Sequence, residues 1–172
     1  MKEGFPLTLM DFRIRAVREG DEHGLSTFYG MLSPRSRYFF EPYHDTSVDA
    51  MREVVERGLC GADLHCVAEE ASGAIFSHIF YRNVSDPVPH LGIGVLDSYQ
   101  NHGIGGVLLQ YLICLGKYYL RKKAIGLTVM KENLRAFHLY QKLGFRVVRD
   151  DVSFRSMADS YEMHLVFSNE AK

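Results

Sequence analysis

Residues 91–109 read LGIGVLDSYQNHGIGGVLL. The stretch begins as an apolar strand with interspersed glycines, breaks at Asp97 and Ser98, and resumes as an apolar run after the glycine-rich segment 103–106. A strand followed by a glycine loop and a helix can hold a phosphate, because the first amides of the helix are unpaired and its dipole favours an anion. The glycines let the backbone come close to such a ligand. The stretch therefore predicts a phosphate-binding loop.

The composition is that of an ordinary soluble globular domain. The chain has 172 residues, of which 47% are hydrophobic and 24% charged, and its net charge is −1. We therefore predict one domain over residues 1–172, with no electrostatic attraction to nucleic acid or to acidic membranes. No apolar run approaches the ~20 residues that span a bilayer. Because the amino-terminal sequence also lacks a signal-peptide pattern, we expect a cytoplasmic location.

The three cysteines do not indicate a metal or disulfide framework. Cys60, Cys66 and Cys114 form no CxxC pair, and an odd number leaves one unpaired. Cys66 and Cys114 lie in apolar stretches, as small core residues do. We predict no metal site.

Hydrophobic periodicity gives the order of elements. Alternation of apolar and polar residues predicts a first strand at 12–17, a hairpin of strands at 64–70 and 74–81, and a last strand at 160–167. Helical spacing and caps predict three helices before the hairpin, a long helix over 103–122 and a helix over 133–143. Further strands are predicted at 90–95, 124–130 and 145–149. The order is β-α-α-α-β-β-β-α-β-α-β-β, which is a mixed α/β class with a largely antiparallel first half.

Two segments resemble the GNAT superfamily of acyl-CoA N-acyltransferases. Residues 100–105, QNHGIG, fit its (Gln/Arg)-x-x-Gly-x-(Gly/Ala) loop between a strand and a helix. Residues 133–145, NLRAFHLYQKLGF, look like its Asn-x-x-Ala-x-x-x-Tyr-x-Lys-x-Gly-Phe signature. The resemblance covers nearly the whole chain. It implies a twisted, mostly antiparallel sheet of about seven strands flanked by helices and splayed between strands 4 and 5.

The resemblance also implies acetyl-CoA as the co-substrate. Its pyrophosphate is expected on the loop, and its pantetheine arm is expected to pair with the strand-4 backbone in the gap, like an added strand. Asn133 would reach the arm from the other side of the gap, and it is equally well explained as a helix cap. The cofactor-binding residues implied are Ile93, Val95, Gln100, Asn101, His102, Gly103, Ile104, Gly105, Gly106 and Asn133.

Tyr140 falls at the position of the family tyrosine that gives a proton to the leaving thiolate. Amine attack on a thioester expels a thiolate, so a donor is needed there. The alternative is that Tyr140 only packs beside Phe137 and Phe145. The incoming amine must also lose a proton, and His90 is the first candidate base. Glu69, Glu70 and His78 on the neighbouring strands are weaker candidates, and ordered water is the alternative.

The implied reaction is acetyl transfer to a primary amine of a protein or a small molecule. Residues 32–40, LSPRSRYFF, are similar to a segment of protein-lysine acetyltransferase domains, and a plain packing helix explains them equally well. The acceptor side is expected around residues 25–43, 82–89 and 150–160. A homodimer is compatible with this interpretation. A non-catalytic acyl-CoA-binding sensor or scaffold is the alternative function, because strand 4 lacks a carboxylate.

Overall fold

The structure is a computed structural model that describes residues 11–154 and 158–167. The helices are α1 (Asp21–Met31), α2 (Pro34–Phe39), α3 (Val48–Leu59), α4 (Ile104–Cys114) and α5 (Leu134–Lys142). The strands are β1 (Phe12–Ala16), β2 (Leu64–Glu70), β3 (Ile75–Arg82), β4 (His90–Val95), β5 (Ala124–Met130), β6 (Arg146–Phe154) and β7 (Ala158–Val166). This order confirms the predicted one. The last two strands are longer than predicted, and residues 155–157 of the expected acceptor segment lie outside the described part of the chain, as do residues 1–10.

The strands form one sheet of seven, in the order β1-β2-β3-β4-β5-β7-β6. Neighbours are antiparallel except for β4 and β5, which are parallel. That parallel pair is very short: His90 opposite Gly126 is its one registered pair, supported by the Gly126 amide donating to the Pro89 carbonyl at 3.0 Å. The predicted splay between strands 4 and 5 is confirmed.

The helices cover the two faces of the sheet separately. Successive strand residues point to opposite faces, so Phe80 and Tyr81 of β3 mark the two sides. Helices α1 and α3 lie on the Phe80 side, where Tyr29 of α1 contacts His78 and Gly58 of α3 abuts His65. Helix α4 lies on the Tyr81 side. In the described part of the chain, no helix has the length and apolar character needed to cross a membrane.

Two glycines of β4 make room for aromatic rings. A Cβ atom on Gly94 would lie 2.1 Å from the Phe40 ring, and one on Gly92 would lie 2.2 Å from the Phe80 ring. The two rings are themselves neighbours, with centroids 6.2 Å apart. The glycines of LGIGV thus let aromatic side chains pack flat on the backbone of β4, on the side of the sheet that carries α1 and α3.

The predicted long helix is interrupted. After α4 the chain makes a π-helical turn at Leu115–Tyr119, in which the Leu120 amide donates to the Leu115 carbonyl five residues back. The Tyr81 hydroxyl donates to the Leu112 carbonyl at 2.9 Å, and a Cβ on Gly116 would lie 2.7 Å from that hydroxyl. A side chain inserted into the helical hydrogen-bond ladder is a known cause of such a bulge. The predicted long helix over 103–122 is therefore present as α4 and the π-helical turn that follows it, and it ends at Tyr119.

A chain of polar side chains lies buried under α1. The Tyr29 hydroxyl lies 2.8 Å from His78 Nδ1, and His78 Nε2 lies 3.1 Å from His65 Nδ1. His65 Nε2 is 3.4 Å from Asp63 Oδ2. Burial disfavours the charged imidazolium and lowers the pKa of both histidines, that of His65 to about 4, despite the opposing charge of Asp63. Both rings are therefore neutral at neutral pH.

We expect Gly94→Ala to destabilise the protein by about 1–3 kcal/mol, because the new methyl group overlaps the Phe40 ring. Phe40→Ala in the same chain should remove most of this penalty, so the two changes will not be additive. Urea denaturation of the four members of this cycle measures the coupling. Gly30→Ala is the control, since its Cβ meets nothing within 4 Å. Additive effects of Gly94→Ala and Phe40→Ala would contradict the described packing.

The free energy of unfolding should fall as the pH drops from about 6.5 towards 4. In that range the unfolded chain binds protons on His65 and His78 that the folded chain does not, so each contributes a slope of up to about 1.4 kcal/mol per pH unit. Above pH 6.5 this penalty is absent. Denaturation at pH 7.5 and at pH 5.5 tests the slope. His65→Gln should flatten it, and His23→Ala, which changes an exposed histidine, should not; an unchanged slope in His65→Gln would refute the assignment.

Candidate functional site

The gap between β4 and β5 opens into a cavity of about 620 Å³. Its walls come from five parts of the chain: α2 and its flanks, strand β4, the glycine loop with the start of α4, strand β5, and α5 with its cap. The lining residues are Leu32, Arg35, Ser36, Phe39, Phe40, Leu91, Gly92, Ile93, Gly94, Val95, Asp97, Gln100, Asn101, Gly105, Leu127, Thr128, Val129, Met130, Asn133, Arg135, Ala136, Leu139 and Tyr140. This volume is within the range of small-molecule and cofactor sites.

One wall of the cavity is an unpaired strand edge. On its other side β4 pairs with β3 along its whole length, from Ser77 opposite Val95 to Arg82 opposite His90. Towards β5 the registered pairing ends at His90. The backbone groups of β4 that face β5 beyond this point are therefore available to an extended ligand, as at the edge of any sheet.

The glycine loop presents free amides at the start of α4. Asn101 and Gly103 have left-handed backbone angles, with φ of 67° and 80°. The amides of Gly106 and Val107 donate to the Gly103 carbonyl. Within the described residues, the amides of positions 101–105 have no backbone hydrogen bond. Unpaired amides at a helix start, together with the helix dipole, form an anion-binding site.

The Gln100 side chain holds this loop against its neighbours. Its Nε2 donates to the Val95 carbonyl at 3.0 Å and to Ser36 Oγ at 3.1 Å. Its Oε1 accepts from Arg135 Nη1 at 3.3 Å. One amide side chain therefore joins the end of β4, helix α2 and helix α5 around the mouth of the cavity.

Asp97 fixes α2 to the loop. Its carboxylate accepts hydrogen bonds from Ser33 Oγ at 2.7 Å, Ser36 Oγ at 2.8 Å and the Ser33 amide at 3.1 Å. Burial alone would raise the pKa of this carboxyl, but the hydrogen bonds from Ser33 and Ser36 outweigh it and lower the pKa. Asp97 is the one carboxylate in the described cavity lining, and it is fully engaged.

Tyr140 reaches the cavity from α5. It is buried, and its ring packs beside Phe145 with centroids 5.9 Å apart. Burial raises the pKa of Tyr140 to about 12, so the phenol is protonated at neutral pH. Tyr140 lines the cavity, and no hydrogen bond to its hydroxyl is found within the described residues.

Asn133 caps α5 and also lies in the cavity lining, and its contact with a bound ligand stays a prediction. Its Oδ1 accepts from the Ala136 amide at 3.3 Å, which confirms its role as the cap of α5, and its side also lines the cavity. Capping leaves its side-chain amide nitrogen free of that contact.

Seven of the predicted site residues line the cavity: Ile93, Val95, Gln100, Asn101, Gly105, Asn133 and Tyr140. His102, Gly103, Ile104 and Gly106 are not in the described lining; they shape the loop and the first turn of α4. His90 is not brought into the cavity either. It lies at the closed end of the gap, where its side chain is 44% exposed and faces Glu162 of β7.

Sequence reasoning missed several cavity residues. Arg135 lies inside the 133–145 motif and supplies a cation at the mouth of the cavity. It stands at a position where the motif specifies no residue type, so the motif did not indicate it as a site residue. Phe40 lies in the expected acceptor segment 25–43, but the sequence did not indicate that its ring packs on Gly94 in the cavity wall. The pairing of Asp97 with Ser33 and Ser36 joins residues more than 60 positions apart, so no local pattern indicates it.

Comparison with known proteins gives consistent matches. The model of the acetyltransferase (GNAT) family matches residues 28–145. N-alpha-acetyltransferase 40 of Saccharomyces cerevisiae is 31% identical over 97 residues, which are 52% of this chain and 34% of the yeast protein. The chain thus spans about a third of the length of that relative.

Solved structures share the fold. Spermidine N-acetyltransferase from Vibrio cholerae, in complex with CoA and spermine, superposes with a TM-score of 0.74 at 20% identity, covering 90% of this chain and 95% of that one. Ribosomal-protein-S5-alanine acetyltransferase from Vibrio fischeri superposes with a TM-score of 0.78 at 14% identity, covering 90% and 92%. The splayed sheet, the glycine loop with free amides and the family match over two thirds of the chain agree, and this chain belongs to the acetyltransferase (GNAT) family.

Proposed function

We propose that this protein transfers an acetyl group from acetyl-CoA to a primary amine, by direct attack of the amine on the bound thioester. The observation that carries the proposal is the position of Tyr140. Tyr140 lines the cavity that the free edge of β4 also borders, and its protonated hydroxyl has no hydrogen-bond partner in the described part of the chain.

The cavity suits the two halves of coenzyme A. The pyrophosphate would lie on the free amides of residues 101–105 at the start of α4, near Arg135. The pantetheine arm carries amide groups, which would pair with the open edge of β4 near Ile93 and Val95. Asn133, on the far side of the gap, would contact the arm from α5.

Tyr140 would then supply the proton that the reaction needs on the donor side. When the amine nitrogen forms its bond to the acetyl carbon, the carbon–sulfur bond breaks and a thiolate leaves. A phenol beside the sulfur donates a hydrogen bond to the developing thiolate and gives it a proton. Because the pKa of Tyr140 is raised, the donor stays protonated over the whole physiological range.

On the acceptor side we assign the amine proton to water. Asp97 is held by Ser33 and Ser36, and the other carboxylates weighed from the sequence are also engaged: Glu69 pairs with Arg13 and Arg15, and Glu70 accepts from Tyr99. His78 is buried with His65. His90, the base candidate from the sequence, lies outside the described cavity lining and has no part in the proposed step.

The acceptor is proposed to be a primary amine, the chemical class shared by the spermidine and N-alpha-amine acetyltransferases to which the chain is similar. Helix α2 contributes Arg35 and Phe39 to the cavity, so the segment similar to protein-lysine acetyltransferases lies where an acceptor would enter. We include protein lysine in the amine panel for that reason.

Tyr140→Phe should lower turnover by at least about 100-fold, the usual size of a lost general acid, while the Kd for CoA stays nearly unchanged. Free thiol released from acetyl-CoA in the presence of an amine panel measures turnover, and calorimetry measures CoA binding. Tyr118→Phe is the matched control, because that tyrosine is exposed on the π-helical turn.

The two readouts also separate the alternatives. Equal loss of CoA binding and turnover in Tyr140→Phe would show a packing role for the ring. Tight CoA binding by the wild-type chain without thiol release for any amine would refute the enzyme proposal and favour an acyl-CoA-binding sensor.

Arg135→Ala should raise the KM for acetyl-CoA about tenfold, since a hydrogen-bonded cation at a phosphate contributes on the order of 1.5 kcal/mol. Arg135→Lys should recover part of the loss, and added salt should shrink the difference. Lys123→Ala is the control, because Lys123 is an exposed cation that precedes the first residue of β5, at the end of the strand away from the cavity. An unchanged KM in Arg135→Ala would exclude the phosphate contact.

A further inference from the structure

Two histidines and a glutamate meet on the face of the sheet opposite α5. His90 begins β4, whereas Glu162 and His164 lie two residues apart on β7 and therefore point to the same side. His164 Nε2 is 3.0 Å from Glu162 Oε1, and His90 Nε2 is 3.7 Å from the same oxygen. The three potential ligand atoms all lie within 4.8 Å of one another.

The cluster lies close over a glycine, residue 126. Gly126 lies on β5 between the two strands, opposite His90 on one side and His164 on the other. A Cβ at this position would lie 3.1 Å from His164 Cδ2 and 3.3 Å from His90 Cε1. The two imidazole rings thus converge above a bare stretch of backbone.

Arg149 orients the glutamate. Its Nε donates to Glu162 Oε2 at 2.9 Å, and its Nη2 contacts the same oxygen. The other oxygen, Oε1, is the one directed at both histidines. A fixed partner on the non-ligating oxygen is a common feature around metal-binding carboxylates. The positive charge of Arg149 would also weaken binding of a cation, so the site is expected to be of moderate affinity.

We propose that His90, Glu162 and His164 bind one divalent transition-metal ion, with Zn²⁺ as the reference ion. Two imidazoles and one carboxylate are a donor set that Zn²⁺ accepts together with an open fourth position. Ligand atoms at ~2.0–2.1 Å from a tetrahedral ion lie about 3.3 Å from each other. The two distances to Glu162 Oε1 fall on either side of that value. The 44% exposed side chain of His90 leaves the ion a path from solvent.

The same geometry can hold without an ion, as a hydrogen bond between His164 and Glu162 with His90 beside it. The two alternatives differ in what they predict for titration with metal. An ion that joins β4 to β7 across β5 should also stabilise the folded chain, because it binds only the native arrangement.

The test is a titration of the chelator-treated protein, with any polyhistidine tag removed, by ZnCl₂ in competition with a chromophoric chelator. We expect one site of moderate affinity per chain. His164→Ala and Glu162→Gln should each weaken it at least tenfold, and His90→Ala should do the same. His23→Ala, which removes an exposed histidine of α1, should leave it unchanged. Zn²⁺ should raise the Tm of the wild-type protein and not that of the His90→Ala His164→Ala double variant.

Co²⁺ substitution gives an independent readout, since visible d–d bands report low-coordinate nitrogen and oxygen ligation. We expect these bands in the wild type and not in the double variant. Should His164→Ala unfold the chain, the His90→Ala comparison stands by itself, because His90 is on the exposed side of the cluster. Zn²⁺ binding by the double variant as tight as by the wild type, or no stoichiometric binding by the wild type, would overturn the proposal.

Discussion

The early end of the pairing between β4 and β5 is the constraint on which the rest of the site depends. Parallel strands in one sheet normally continue their hydrogen bonds for several residues, whereas this pair has one registered position, His90 opposite Gly126. Beyond it, the gap opens into the sheet and exposes the edge of β4. The cavity, the free strand edge and the access of Tyr140 all follow from that divergence.

The gap keeps its shape because both sides are supported by packing. On one side of the sheet, Phe40 and Phe80 lie against Gly94 and Gly92, so β4 is covered by rings and cannot easily shift. At its carboxyl end, Asp97 and Gln100 join the loop to α2 and α5 through Ser36 and Arg135. A ligand entering the cavity therefore meets walls that are already positioned, which reduces the entropy lost on binding.

The two ends of the gap have different chemistry. The open end has the free amides of the loop, Arg135 and the neutral phenol of Tyr140, which suit an anionic ligand ending in a thioester. The closed end has His90, Glu162 and His164, held over Gly126. Both ends share β4, so the metal-binding proposal and the acetyl-transfer proposal concern neighbouring parts of one strand while relying on different residues.

The sequence by itself determined the order of the elements and identified the loop and motif residues that line the cavity. Periodicities of two and of about 3.6 residues are local properties, and so is the cap Asn133, which the structure places as predicted. The glycine loop and the 133–145 motif are likewise contiguous, so their residues could be named in advance.

What only the tertiary structure decided depends on contacts between distant segments. Tyr81 donates a hydrogen bond to the Leu112 carbonyl just before the helix changes to a π-helical turn, which periodicity does not indicate. Phe40 occupies the space above Gly94, and His90 faces Glu162 instead of the cavity. Strand register and the packing of distant segments set these two contacts, and no local pattern encodes either.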